Sequence, residues 1–210
     1  MKKDIIIIGC GGHSKVIVDA IEQIDEFRIK GYLDDDKYGK GYRGYNVLDK
    51  IRNVGVYDNE NTWFVIAIGD NNIRKCISNS FPNLKYATII HKNASISPSS
   101  TIGFGSVVLD GSIINADSKI GSHVIINTRS IVEHDCIIGN YCHVSPGSVI
   151  CGGNIVHDNV HIGANSVIIP CKVINKNSII GAGSTVISSV EINNIVVGCP
   201  ARSIMNKQNM

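Results

Sequence analysis

The chain has 210 residues, a net charge of +2, 43% hydrophobic and 18% charged residues. This is the composition of a folded protein of one or two domains. The balanced charge argues against a nucleic-acid or anionic-membrane binder, and no apolar run reaches the ~20 residues that span a bilayer. The start of the chain lacks the long apolar core and cleavage site of a signal peptide, so a cytoplasmic protein is expected. The seven cysteines are odd in number and form no CxxC, which indicates neither a disulfide framework nor a zinc knuckle and fits a reducing compartment.

The first ninety residues alternate between strand and helix signals. "KKDIIIIGCGGHSKVIVDAIEQ" predicts a buried strand, a glycine turn and a helix whose apolar face carries Val16, Ile17, Ala20, Ile21 and Ile24. Further strands are expected at "FRIKGYLDDD", "TWFVIAIGD" and "LKYATII", with "NNIRKCISN" opening a second helix. The alternation predicts a small Rossmann-like α/β sheet over residues 1–90. Ligands of such sheets sit beyond the carboxyl ends of the strands, which places Gly9, Gly11, Gly12, His13, Asp34, Asp35, Gly69 and Asp70 along one rim. "GCGGHS" is an incomplete dinucleotide fingerprint, with Ser14 in place of the third glycine, yet it could still offer backbone N–H groups to phosphate. Arg74 could pair with phosphate or with an acidic neighbour, and the "DDD" run could equally be a solvated strand end.

From Ile96 onward, every sixth residue through Ile192 is Ile or Val, seventeen positions in all. The residue two earlier is usually Ser, Cys or Val, and the residue one later is often Gly or Asn. Neither an amphipathic helix nor a hairpin series has this period; a parallel β-helix does. Three hexads close one coil, coils stack about 4.8 Å apart, and Gly or Asn takes the corners where positive φ is needed. The expected solenoid covers residues 91–204, followed by a tail at 205–210.

This run resembles the left-handed β-helix of the hexapeptide-repeat acyltransferases, and the handedness is implied by that resemblance. The order of "GCGGHSK", "YLDDD", "AIGDNNIRK", "HKNASISPSS", the hexads and "VVGCPAR" resembles one subfamily. That subfamily contains the N-acetyltransferases of nucleotide-linked 4-amino-4,6-dideoxyhexoses and their sialic acid O-acetylating relatives. The resemblance implies acetyl-CoA as cosubstrate, no metal, a homotrimer with sites between neighbouring helices, and a UDP- or GDP-linked amino sugar held by the first domain. Gly11, Gly12, His13, Asp34, Asp35, Arg74 and Asn127 are the expected substrate contacts. Since no hexad is interrupted, the site is expected to be built from corner residues and the preceding domain.

"SIVEHDCIIG" carries the expected catalytic group. Acetyl transfer needs a base for the acceptor, a donor for the thioester oxygen, and held reactants. His134 follows inward Val132 by two residues and should sit at a corner. The resemblance makes it the general base and Asp135 the carboxylate that orients it, with Glu133 the alternative. The repeat itself places Gly152 one coil later, beside His134, where its amide could meet the thioester oxygen. His143 aligns with the subfamily's second active-site histidine and is expected to contact the cofactor or substrate. Ala164 and Ala182, one coil apart, would let pantetheine lie along the helix, and "GCPAR" would reach the adenine end. His161 is the coil neighbour of His143, so the pair could line one groove, though His157 and His161 read first as surface or interface residues; His91 reads as part of the interdomain connection, and Cys136 and Cys142 as core.

Two rival readings share the fold. Gamma-class carbonic anhydrases hold zinc with three histidines on the same type of helix, but here the histidines fall on different parts of the coil. A non-catalytic sugar-nucleotide sensor would keep the domains and lack turnover.

Overall fold

The structure, a computed structural model, describes residues 2–204. The expected tail at 205–210 lies outside the described residues. Strand β1 (Lys3–Ile8) is a run of branched residues with little room for solvent, and its isoleucines 5–8 are almost wholly buried. It pairs in parallel with β2 (Phe27–Leu33) and with β5 (Thr62–Ile66). A short antiparallel hairpin, β3 (Gly41–Tyr42) and β4 (Tyr45–Asp49), extends the sheet in the order β3-β4-β2-β1-β5. Helix α1 (Gly12–Glu22) buries Ile17, Val18, Ala20 and Ile21, whereas Val16 is largely in solvent. The apolar face is therefore rotated by part of a turn from the expected one, because Val18 is the residue that meets the sheet. Helix α2 (Asn71–Ser80) starts at Asp70, whose carboxylate caps the Ile73 N–H at 2.9 Å.

The expected strand at "LKYATII" does not form as one element. Tyr86 makes a single bridge to Phe64, and Ile89–Ile90 pairs with Val107–Val108 as the first rung of the solenoid. The segment leaves one sheet and enters the other, so neither ladder can hold it throughout.

The remainder is a three-faced parallel β-helix. Strands on each face pair at a separation of eighteen residues, as in Ile131 with Val149 and His143 with His161. The inward Ile and Val residues from Val108 to Val186 are almost wholly buried and form one continuous core. The small position two residues earlier is buried too. Its serines bond to carbonyls rather than going unsatisfied, as Ser118 Oγ does to Glu133 O at 2.6 Å. Cys136 and Cys142 occupy the same slot and donate their S–H groups to Cys151 O and His157 O.

The six-residue register ends at Val186. The next inward residue is Val190, 4% exposed and bridged to Ile174, while Ile192 is 57% exposed. Val196 then pairs with Ile180. The last coil is two residues short, so Ile192 is not the inward residue that the periodicity predicts. Ile or Val at both 190 and 192 hides this shift from a count of hexads.

The two parts share a core. Val107, Leu109 and Ile125 on the outside of the third solenoid face pack with Ile17, Ile21, Ala87 and other residues of the α/β part. The α/β part therefore rides on the face that also carries His143 and His161.

Candidate active site

Chain order fixes where the corners lie. The face carrying Ile131 and Val149 is followed by a corner with His134 and Gly152, then by the face of Ile137 and Ile155, then by a corner with Asn140 and Asp158, then by the face of His143 and His161. A corner between two faces of a triangular prism lies across from the third. The His134 corner and the His143 face are thus on opposite sides of one chain, and the corner does not meet the α/β part within that chain.

Asp135 has a φ of +59°, in the left-handed region where Asp is tolerated. This turn folds its carboxylate back, so that Oδ2 lies 2.8 Å from His134 Nδ1. A carboxylate acceptor requires the proton on Nδ1, so in the neutral ring Nε2 is the nitrogen free to accept a proton. The Asp135 hydrogen bond raises the His134 pKa, against a smaller opposing effect of desolvation, and the charges of Asp135 and Glu133 add to the rise. Glu133 makes no hydrogen bond to the ring among the described residues. Gly152 stands beside the imidazole: a Cβ placed on it would lie 2.6 Å from His134 Cε1 and 2.7 Å from Nε2. The coil ladder uses the Gly153 N–H, donated to His134 O, and the Gly152 carbonyl, which accepts from Cys171 N. The Gly152 N–H donates to no acceptor among the described residues.

A second constellation lies across the prism, in a crevice of about 670 Å³ between the α/β part and the third face. Gly69, Asp70, Asn71 and Asn72 line one side, and His143, His161, Asn159 and Asn177 the other. His143 Nδ1 is 3.2 Å from Gly69 O and therefore donates, while Nε2 accepts from Asn127 Nδ2 at 3.0 Å. Burial pushes the His143 pKa down to about 3, with His161 and Arg74 adding to the effect, so the ring is neutral. His13, at the start of α1, stands 6.1 Å from His143 between ring centroids, and burial lowers its pKa to about 4. His161, expected at the surface or an interface, packs edge-on against His143 at 5.0 Å and lines the crevice. Only its register partner, eighteen residues earlier, signals this in sequence.

The other expected contacts are placed as follows. A Cβ on Gly11 or Gly12 would meet nothing within 4 Å, so the first turn of α1 is open to a ligand. Asp34 spends its carboxylate on the loop, accepting from Cys10 N at 2.7 Å, Asp36 N and Lys37 N. Asp35 is exposed and accepts from Ile51 N. Asn127 is held by Thr128 N and His143. Ala164 and Ala182 stack at the third corner, where Gly183 N donates to Ala164 O.

Arg74 requires a correction. Its side chain is 1% exposed and bonds to the carbonyls of His123, Ile68, Gly69, Tyr141 and Cys142 and to Asn71 Oδ1. A guanidinium so enclosed meets neither a phosphate nor an acidic side chain. Among the described residues, no group of three or more His, Cys, Asp or Glu could hold a metal ion, and no helix is long and apolar enough to cross a membrane.

Comparison with known proteins gives this arrangement its relatives. Residues 4–81 match the family described as the PglD N-terminal domain, and residues 117–152 the bacterial transferase hexapeptide (six repeats). The UDP-N-acetylbacillosamine N-acetyltransferase of Bacillus subtilis is 36% identical over 115 residues, 51% of this chain and 51% of the relative. The matched stretch of a second relative is only 21% of that protein, so this chain spans about half of one of these sequence relatives and a fifth of the other. Solved structures match over nearly the whole chain. The acetyltransferase domain of PglB from Neisseria gonorrhoeae has a TM-score of 0.93 and 28% identity, covering 97% of this chain and 100% of that one. PerB from Caulobacter crescentus, solved in complex with CoA and GDP-perosamine, has a TM-score of 0.91 and 31% identity, covering 96% and 97%.

Proposed function

The chain belongs to the hexapeptide-repeat sugar N-acetyltransferases that carry a PglD-type N-terminal domain, and from this we propose that it moves acetyl from acetyl-CoA to the 4-amino group of a nucleotide-linked 4-amino-4,6-dideoxyhexose. The observation that carries the proposal is the His134–Asp135–Gly152 corner: a base with its tautomer fixed, beside an amide that no group among the described residues uses.

In this mechanism the acceptor enters as the neutral amine, and His134 Nε2 takes one of its protons as it attacks. The nitrogen lone pair forms the C–N bond at the thioester carbonyl, and the carbonyl electrons move to oxygen, where the Gly152 N–H stabilises them. Collapse of the tetrahedral intermediate breaks the C–S bond, and the imidazolium returns its proton to the CoA thiolate. Asp135 stabilises the imidazolium in between.

A homotrimer completes the proposal, because the corner and the crevice lie on opposite sides of one chain. Ile113, Ile131, Val149 and Val167 point outward on one side of the His134 corner, and Ile137 and Ile155 on the other. Ile137 and Ile155 are 45% and 36% exposed in the single chain. Neighbouring copies that cover these rows would bring a second chain's crevice to the His134 corner. The open first turn of α1 suits the diphosphate, His13 and Asn127, which both meet His143, suit the sugar, and Asp34 and Asp35 suit the nucleoside side of the strand rim. His143, Ala164 and Ala182 suit the cosubstrate. The unpaired cysteines suit a reducing cytoplasm, and the product suits glycan synthesis.

The test is mass spectrometry of UDP- and GDP-linked 4-amino-4,6-dideoxyhexoses, their non-amino counterparts and free sialic acid after incubation with acetyl-CoA. The proposal expects an acetyl increment on an amino sugar nucleotide. Acetylation of sialic acid alone would instead make the protein an O-acetyltransferase, and nucleotide-sugar binding without turnover would make it a sensor.

A further inference from the structure

Among the described residues, Arg74 is the largest fully buried side chain, and no carboxylate pairs with it. Its bonds divide between two parts of the chain. Nη1 donates to Ile68 O and Gly69 O in the loop after β5. Nε donates to His123 O at 2.8 Å, and Nη2 to Tyr141 O at 2.9 Å and to Cys142 O, all at the solenoid. Asn71, which accepts from Nη2 at 2.9 Å, reaches the solenoid itself through Val160 O. The loop it holds supplies Gly69 O, the acceptor for His143 Nδ1.

We propose that Arg74 is a positioning residue for the acetyl-transfer reaction: it locks the loop of residues 68–71 onto the third solenoid face, and so fixes the orientation and tautomer of His143 in the crevice. The proposal rests on the function stated above for the reaction itself, though not for the geometry of His143. Lysine cannot replace Arg74 in this role, because an ammonium has three donors and no planar fork to span the carbonyls of the loop and the solenoid together. The guanidinium also has an electrostatic consequence. The groups around it are His13 on α1, Asp70 and Asn71 at the start of α2, and His123, Tyr141, Cys142, His143 and His161 on the solenoid. After burial itself, its charge helps hold His13, His123 and His161 in the neutral form, and it adds to the same effect on His143. Asp70 acts in the opposite sense on His161.

The experiment compares the intact wild-type protein with Arg74→Lys and Arg74→Met, using histidine-labelled NMR without substrate and steady-state kinetics with it. In the wild type, His143 gives one sharp signal of the Nδ1–H tautomer. In Arg74→Lys that signal broadens or splits between tautomers, and kcat/KM for the amino sugar nucleotide falls about tenfold to a hundredfold, the cost of misplacing a reactant by about an ångström. The oligomer mass stays unchanged. Arg74→Met, which has no donors at all, is expected to show the same broadened or split His143 signal and a loss of kcat/KM at least as large. A sharp Nδ1–H signal together with wild-type kcat/KM in Arg74→Lys overturns the proposal, whether or not Arg74→Met folds. If the wild type turns over no sugar nucleotide, the function is wrong, and the NMR comparison still decides the role of Arg74 in orienting His143.

Discussion

Gly152 lies one coil after His134, and a Cβ on it would sit 2.6 Å from His134 Cε1. The absence of a side chain at 152 is therefore what lets the imidazole lie flat against the coil. Gly152 is not in the left-handed region, so alanine meets no backbone penalty there. Gly152→Ala is expected to displace the ring and lower turnover by about 10²–10³, on the scale of a lost oxyanion donor, while the melting temperature holds. Parallel kinetics and thermal melts check this; wild-type turnover would remove Gly152 from the site.

The carboxylate at 135 sets the working pH. The Asp135 hydrogen bond raises the His134 pKa, so Asp135→Asn lowers it, and the acid limb of kcat/KM moves to lower pH. The maximal rate falls as well, because the imidazolium loses its counter-charge. A pH–rate profile of the variant reads both effects, and an unmoved limb would assign the titration to another group.

Co-assembly tests the division of the site between chains. Mixed trimers of His134→Ala and His143→Ala chains are expected to regain turnover that neither parent shows, since some interfaces then carry an intact corner opposite an intact crevice. Mixed assemblies as inactive as the parents would place both histidines in separate functions.

Buried neutral histidines tie stability to pH. Burial holds the pKa of His13 and His123 at about 4 and of His143 at about 3, below the 6.5 of an unfolded chain. The unfolded state thus binds more protons below pH 6.5, and stability present above that pH is lost as pH falls toward the folded values. The urea midpoint is expected to fall between pH 6.5 and pH 5, before most carboxylates titrate. A flat midpoint over that window would contradict the burial of these rings.

How much of this was legible in the sequence depends on whether the period carried it. The solenoid, its eighteen-residue coil and the adjacency of His134 to Gly152 follow from the six-residue repeat alone, because each residue's position is set by counting. The same count misplaces Ile192, since a two-residue shortening between Val186 and Val190 leaves aliphatic residues in both registers. Replacing Val190 with Ala is expected to cost about 1–3 kcal/mol, and Ile192→Ala much less, as denaturant titration would show; the reverse order would restore the uninterrupted register. Arg74 could not be placed from sequence. Its partners are backbone carbonyls of residues up to 68 positions away, and carbonyls carry no residue-type signature. The crevice was hidden for a similar reason: Gly69 and His143 meet only once the α/β part docks on the third face.

The most direct measurement is acetyl transfer itself, followed by mass spectrometry on GDP- and UDP-linked 4-amino-4,6-dideoxyhexoses with wild-type protein and His134→Ala. The account predicts an N-acetylated product from the wild type and a rate lower by about 10²–10⁴ in the variant, the usual contribution of a general base, with acetyl-CoA and sugar-nucleotide affinities unchanged. A variant as fast as the wild type would contradict it.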